Sequence, residues 1–248
     1  MSKKTEQKQP FEYLKDGIEE RTVAQWAERL KISPAQVLRQ CEETISLADT
    51  SECEEKLTES RERLLEMMES FSQTLSQQVA RIPKPSGIFL SAEERAPAYR
   101  VICRVLGEIE TFQRALGAAI MEMLAIDSLL ARCARARNEA TRVLADVGAA
   151  TRRVTVGDAF FSKHGILRDR LTREGERALR VSERAQLLQA RVKTFHETSL
   201  SAFCSRVEVS ADMAHDGESC NPIALIRMCG ELGEVTQSLI RQIRGIVI

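Results

Sequence analysis

The sequence predicts an all-α fold: a small N-terminal, helix-turn-helix-like helical module followed by a long-helix antiparallel four-helix bundle with a coiled-coil hairpin. Three observations predict it. Between Val101 and Val147 apolar side chains recur every three or four residues with no glycine-proline break: Val105, Ile109, Phe112, Leu116, Ala119, Met123, Ile126, Leu130, Cys133, Ala140, Leu144 and Val147. That is the period of one helix face. Of the 248 residues 29% are charged and 4% aromatic, with 6 prolines and 12 glycines, and strand alternation is nearly absent, a balance suited to long exposed helices rather than sheets. Capping residues and prolines then divide the chain into segments.

Taken in order, residues 1–10 (MSKKTEQKQP) are polar and are expected to be a disordered tail. Residues 11–48 form the N-terminal module. A short helix over Thr22 to Leu30 is followed by a break at Lys31-Ile32, and a second helix opens at Ser33, where Pro34 suits the first helical position and Gln36 completes a capping box. Residues 51–248 form the bundle. Ser51 and Glu54 make another box, and the helix they open buries Leu57, Leu64, Met68, Phe71, Leu75, Val79 and Ile82 before Pro83 and Pro85 stop it. Ser91 and Glu94 form a third box, but Pro97 lies beyond the first turn, so a short turn and a helix proper from near Ala96 to Gly148 are expected.

The period fails over 148–165 (GAATRRVTVGDAFFSKHG), predicting a loop with a short turn at Asp158 to Ser162. The next helix follows on Leu167, Leu171, Ala178, Val181, Ala185, Leu188, Val192, Phe195 and Ala202. Ser210 to Cys220 is a polar linker, and Asn221-Pro222 opens a last helix on Leu225, Met228, Leu232, Val235, Leu239, Ile243 and Ile246. At about 1.5 Å per residue the two middle helices exceed their neighbours, at roughly 75 and 60 Å against 45 and 40 Å. The surplus predicts a two-helix stalk with its tip at 148–165; a break near Asp127-Ser128 and a compact bundle is the alternative.

Targeting signals are absent from the N-terminal stretch, and the most apolar window, Ala115 to Leu130, is interrupted by Glu122 and Asp127, so no membrane span and a cytoplasmic location are expected. The 7 cysteines lack any Cys-x-x-Cys spacing and are expected to be reduced, small apolar residues. Formal net charge is +0, which removes a global attraction to nucleic acid or anionic membrane but not a local one. Glu42 to Glu69 is strongly acidic. From Arg132 to Lys193 arginines dominate, which suits bidentate contacts to carboxylate or phosphate, although local acids also pair with them.

Two candidate sites follow. Arg152, Arg153, Val156, Phe160, Phe161 and Lys163 at the stalk tip combine aromatic and cationic side chains as an interaction hot spot does, for an acidic protein partner; the alternative is that the two phenylalanines close the end of the bundle. In Thr22 to Cys41, Trp26, Leu30, Ile32 and Val37 supply a small core and Ala27 a close helix contact. This segment resembles a generic helix-turn-helix, which implies DNA contact through Gln36, Arg39 and Gln40. Lys31 replaces the frequent turn glycine, and Glu19, Glu20, Glu28, Glu42 and Glu43 crowd the segment, against phosphate neutralisation.

Chemistry is sparse elsewhere. His215, Cys220 and Cys229 match no common zinc-ligand spacing, no nucleophile-histidine-acid set assembles, and Gly230 and Gly233 lie within a helix where small residues permit close packing. No catalytic residue, metal or cofactor is expected. The expected function is a non-enzymatic intracellular scaffold or adaptor acting through protein–protein interactions, with self-association into a homo-oligomer compatible with it. The alternative is a DNA-binding regulatory or partition-type protein whose helical remainder dimerises or senses an effector.

Overall fold

The computed structural model describes residues 34–82, 91–151, 158–206 and 222–248. It is all-α: α1 Pro34–Ser46, α2 Ser51–Val79, α3 Ala92–Thr151, α4 Asp158–Thr194, a π-helical segment Phe195–Leu200, and α5 Pro222–Arg244. Among the described residues there is no strand. The expected tail at 1–10 and the expected helix Thr22 to Leu30 lie outside the described residues. The chain divides into two compact units, Met1–Thr50 with Leu130–Leu179, and Ser51–Leu129 with Arg180–Ile248.

In the first unit α1 opens at Pro34, whose missing N–H and fixed φ suit a helix start. Its inward residues Leu38, Cys41 and Ile45 fall three and four apart and pack with Ala140, Val143, Leu144 and Val147 of α3 and with Leu167 and Leu171 of α4. Three helices therefore share this core, where the sequence pattern left α3 and α4 as a pair. After α1 the chain turns through Leu47 N–H to Thr44 O (3.1 Å) and Ala48 N–H to Ile45 O (3.0 Å). Thr50 is buried, and its N–H and hydroxyl both donate to Glu174 Oε2 at 3.4 Å. Arg177 reaches Asp49 at 3.8 Å.

The expected loop at 148–165 is largely helix. α3 continues to Thr151 and α4 begins at Asp158, because neither Gly148 nor Gly165 ends a helix here. A Cβ at Gly148 would lie 3.2 Å from His164 Nε2. The missing side chain lets that imidazole approach α3, where Nε2–H donates to the Leu144 carbonyl at 2.8 Å.

The second unit is built from α2, the first part of α3, the last part of α4 with the π segment, and α5. Leu57, Leu64, Met68, Phe71 and Leu75 of α2 are buried as expected, and Val79 is half-exposed. Phe71 stacks on Phe112 of α3 with centroids 3.9 Å apart and planes at 4°, and Phe112 meets Phe195 edge-on at 6.3 Å, the T-shaped geometry that ring quadrupoles favour. Arg61 of α2 donates to the carbonyls of Ile243 (3.2 Å) and Arg244 (3.1 Å) at the C-terminus of α5, where a cation also suits the negative end of the helix dipole.

Five readings from the sequence are corrected. α3 starts at Ala92, not near Ala96, and runs over Pro97; the Ser91 N–H donates to Glu94 Oε2 at 2.8 Å and so caps the helix at once. α3 also passes unbroken through Asp127 and Ser128. In α5 the expected Leu225, Met228, Leu232, Leu239 and Ile243 are buried, as is Ile246 just beyond the helix, but Cys229, Thr236 and Ile240 are buried as well and Val235 is exposed; the Thr236 hydroxyl donates to the Leu232 carbonyl at 2.8 Å. In α4 the register shifts by one residue at the π segment, so Leu200, Phe203 and Cys204 are buried while Ala202 is exposed. Gly230 and Gly233 are not close-packing sites, since a Cβ at either would meet nothing within 4 Å.

Candidate functional site

The tip residues are only partly described. Arg152, Arg153 and Val156 lie outside the described residues, as does the side chain of Phe160. Phe161 on the first turn of α4 is exposed. Lys163, two residues on, forms an ion pair with Glu42 of α1 at 2.8 Å. The Lys163 ammonium, by hydrogen bond and by charge, holds the Glu42 carboxyl below its ordinary value, and Lys163 is thereby engaged within its own unit.

Of the helix-turn-helix residues, Gln36 and Arg39 are exposed on α1 and Gln40 is half-buried. The Gln40 Oε1 is buried with no hydrogen-bond partner among the described residues. The inward face of α1 is occupied by the three-helix core, so its outward face offers Gln36, Arg39 and Glu43. His215 and Cys220 lie outside the described residues, and Cys229 is buried in α5, where burial pushes its thiol up to about 12. Among the described residues no group of three or more His, Cys, Asp or Glu side chains is placed to hold a metal ion, and no helix is long and apolar enough to cross a membrane.

The strongest feature within the first unit arises where both long stripes skip a position. In α3 the four-three series 130, 133, 140, 144, 147 lacks only position 137, which is Arg137. In α4 the series 167, 171, 178, 181 lacks the position after Leu171, filled by Glu174 and Gly175. Glu174 is engaged by Thr50. Gly175 faces Arg137: an added Cβ would lie 3.6 Å from both Cδ and Nη1 of the arginine. Arg137 packs over the glycine, and a groove of about 380 Å³ between the helices is lined by Arg137, Arg168 and His164 together with Leu144 and Leu171.

No carboxylate lines this groove. The Thr141 hydroxyl donates to the Arg137 carbonyl (2.8 Å) and the Thr172 hydroxyl to the Arg168 carbonyl (3.2 Å), so both turn lone pairs outward. Arg168 has a 3.7 Å contact with the adjacent, exposed Asp169, and among the described residues no acid pairs with Arg137. Sequence reasoning counted Arg137 and Arg168 among the arginines of a basic arm and did not single out the groove. The signal that marks it is the seven-residue jump in each stripe, from Cys133 to Ala140 and from Leu171 to Ala178.

Charge is also segregated on outer faces. In the second unit Glu55, Glu59, Glu62 and Glu66 repeat at four and three on the face of α2 opposite Leu57, Leu64 and Met68; all four are exposed and none has an ion pair among the described residues. In the first unit Arg135 and Arg142 of α3 and Arg173 of α4 are exposed, likewise without an ion pair among the described residues. The fold thus defines a class, an all-α chain of long amphipathic helices in two units with an apolar inside and charged outer faces. Compared with family models, curated proteins and solved structures, the chain matches none.

Proposed function

We propose that the chain is a non-enzymatic intracellular scaffold or adaptor that binds protein partners through its charged helix faces. The segregation of charge supports this reading most directly. Like charges at i,i+4 on a helix, as in Glu55–Glu59 and Glu62–Glu66, destabilise it by about 0.2–0.5 kcal/mol per pair. A partner of opposite sign relieves that repulsion on binding, and it also gains the steering that opposed potentials provide. The arginine face of the first unit suits an acidic partner and the glutamate face of the second a basic one.

The test is affinity capture from native-cell extract by the full chain and by the variant Arg135→Gln/Arg142→Gln/Arg173→Gln, with helicity of both checked by circular dichroism. Discrete proteins captured by the parent, lost by the folded variant and released as salt is raised across 0.1–0.5 M support the reading. Capture that disappears on nuclease treatment, together with duplex-DNA binding abolished by Arg39→Ala and Gln36→Ala, replaces it with the DNA-binding alternative.

A further inference from the structure

An arginine in the apolar stripe of a helix is costly unless its charge is compensated, because desolvating a guanidinium without a partner forfeits hydration that nothing repays. Arg137 stands in such a stripe, half-exposed, across from a glycine rather than from the carboxylate one residue before it, which Thr50 has engaged. Arg168 enters the same groove from α4 with only a long, exposed contact to Asp169. Two cations therefore share a cavity with no acidic side chain in its wall. Below them the lining is Leu144, Ala145 and Leu171.

We propose that this groove is a binding site for a small organic anion with an apolar body, a carboxylate or a phosphate monoester, its head held by Arg137 and Arg168. Guanidinium groups bind both heads in bidentate fashion. The apolar body lies along Leu144 and Leu171, beside the Arg137 side chain that packs over Gly175. A volume of about 380 Å³ falls in the range of small-molecule cavities. The Thr141 and Thr172 hydroxyls keep their hydrogens on helix carbonyls, so the two arginines supply the recognition of the anion.

Isothermal titration calorimetry on the full chain tests this with octanoate, octyl phosphate and the neutral 1-octanol as probes. Octanoate or octyl phosphate is expected to bind and 1-octanol to bind far more weakly; which of the two anions is preferred assigns the head group. Arg137→Met, which restores an apolar residue to the stripe, is expected to weaken anion binding about tenfold or more, the scale of a lost charged hydrogen bond. That variant is also expected to melt no lower than the parent, which separates loss of the site from loss of the fold. Gly175→Leu, which fills the groove, is expected to abolish binding. No heat with either anion, equal affinity for 1-octanol, or undiminished binding by Arg137→Met overturns the proposal.

Discussion

Deleting one residue from the π segment is expected to be tolerated where the same deletion in the preceding α-helix is not. The stripe of α4 runs Val181, Ala185, Leu188, Val192 and Phe195 in four-three alternation, and a continuous α-helix places its next members at 199 and 202. The buried residues are instead Leu200, Phe203 and Cys204, one position later, and the Ser201 N–H bonds back five residues to the His196 carbonyl, the hydrogen-bond step of a π turn. Deleting the exposed Thr198 puts Leu200 four residues after Phe195 and Phe203 seven after it. The segment becomes α-helical with its inward stripe preserved.

Deleting the exposed Glu183 rotates Leu188, Val192 and Phe195 by about 100° relative to Val181. Exposing three buried side chains at about 1.5–3 kcal/mol each removes roughly 5–9 kcal/mol, comparable to a typical domain's whole stability of about 5–15 kcal/mol. Urea denaturation followed by circular dichroism distinguishes the two variants. The Thr198 deletion is expected to stay within about 1 kcal/mol of the parent, since its backbone bonds re-form with i−4 partners, and the Glu183 deletion to lose its cooperative transition. A Thr198 deletion as damaging as the Glu183 deletion refutes the register argument.

Other substitutions follow from the same packing. Gly230→Ala/Gly233→Ala introduces methyl groups that meet nothing within 4 Å, so each is expected to add up to about 1 kcal/mol and the pair to raise the melting temperature by about 4–8 °C; no rise in a thermal melt contradicts the open-face geometry. Phe112→Ala, which removes the ring that stacks on Phe71 and meets Phe195 edge-on, is expected to cost about 3–5 kcal/mol in urea titration, more than Phe161→Ala at an exposed site. Burial pushes the thiols of Cys41 and Cys229 up from 9.0 to about 12. Because the unfolded chain loses those protons first, stability is expected to be unaffected by them below pH 9 and to fall as pH rises from about 9 to 12, as pH-dependent urea midpoints can check. Iodoacetamide at pH 8 is expected to modify the exposed Cys103 and to spare Cys41 and Cys229 in the native chain, read by peptide mass mapping.

Helix class was legible because hydrophobic periodicity survives in every long element. The α3 stripe predicted from Val105 to Val147 is buried except at Ala119, which is half-exposed. The errors have separate physical origins. Ala202 was assigned to the core because periodicity assumes 3.6 residues per turn throughout, and a single π turn resets that frame without any distinctive residue. An apolar pattern picks out Val235, but the buried position is Thr236, whose hydroxyl donates to the Leu232 carbonyl and so enters the core satisfied. The loop expected at 148–165 rests on the loss of apolar period there, yet helix continues on both sides, and at Gly148 the absent side chain serves a cross-helix approach by His164. The groove was hidden because Arg137 belongs to the apolar stripe by position and to the basic surface by type, and only its pairing with Gly175 makes the two descriptions one site.

The facing of Arg137 and Gly175 also bears on how the two long helices find their alignment. Four-three stripes repeat every seven residues, so a hairpin slid by one heptad still sets apolar side chains against apolar side chains. Here such a slide sets Arg137 against Arg168 in one direction, a like-charge encounter, and against Ser182 in the other, where a side chain replaces the bare glycine on which Arg137 packs. The same slide takes Glu174 away from Thr50 and leaves its carboxylate without those donors. An interruption that weakens the apolar seam locally thus acts as an index mark, distinguishing one pairing of α3 with α4 from its near-equivalent neighbours.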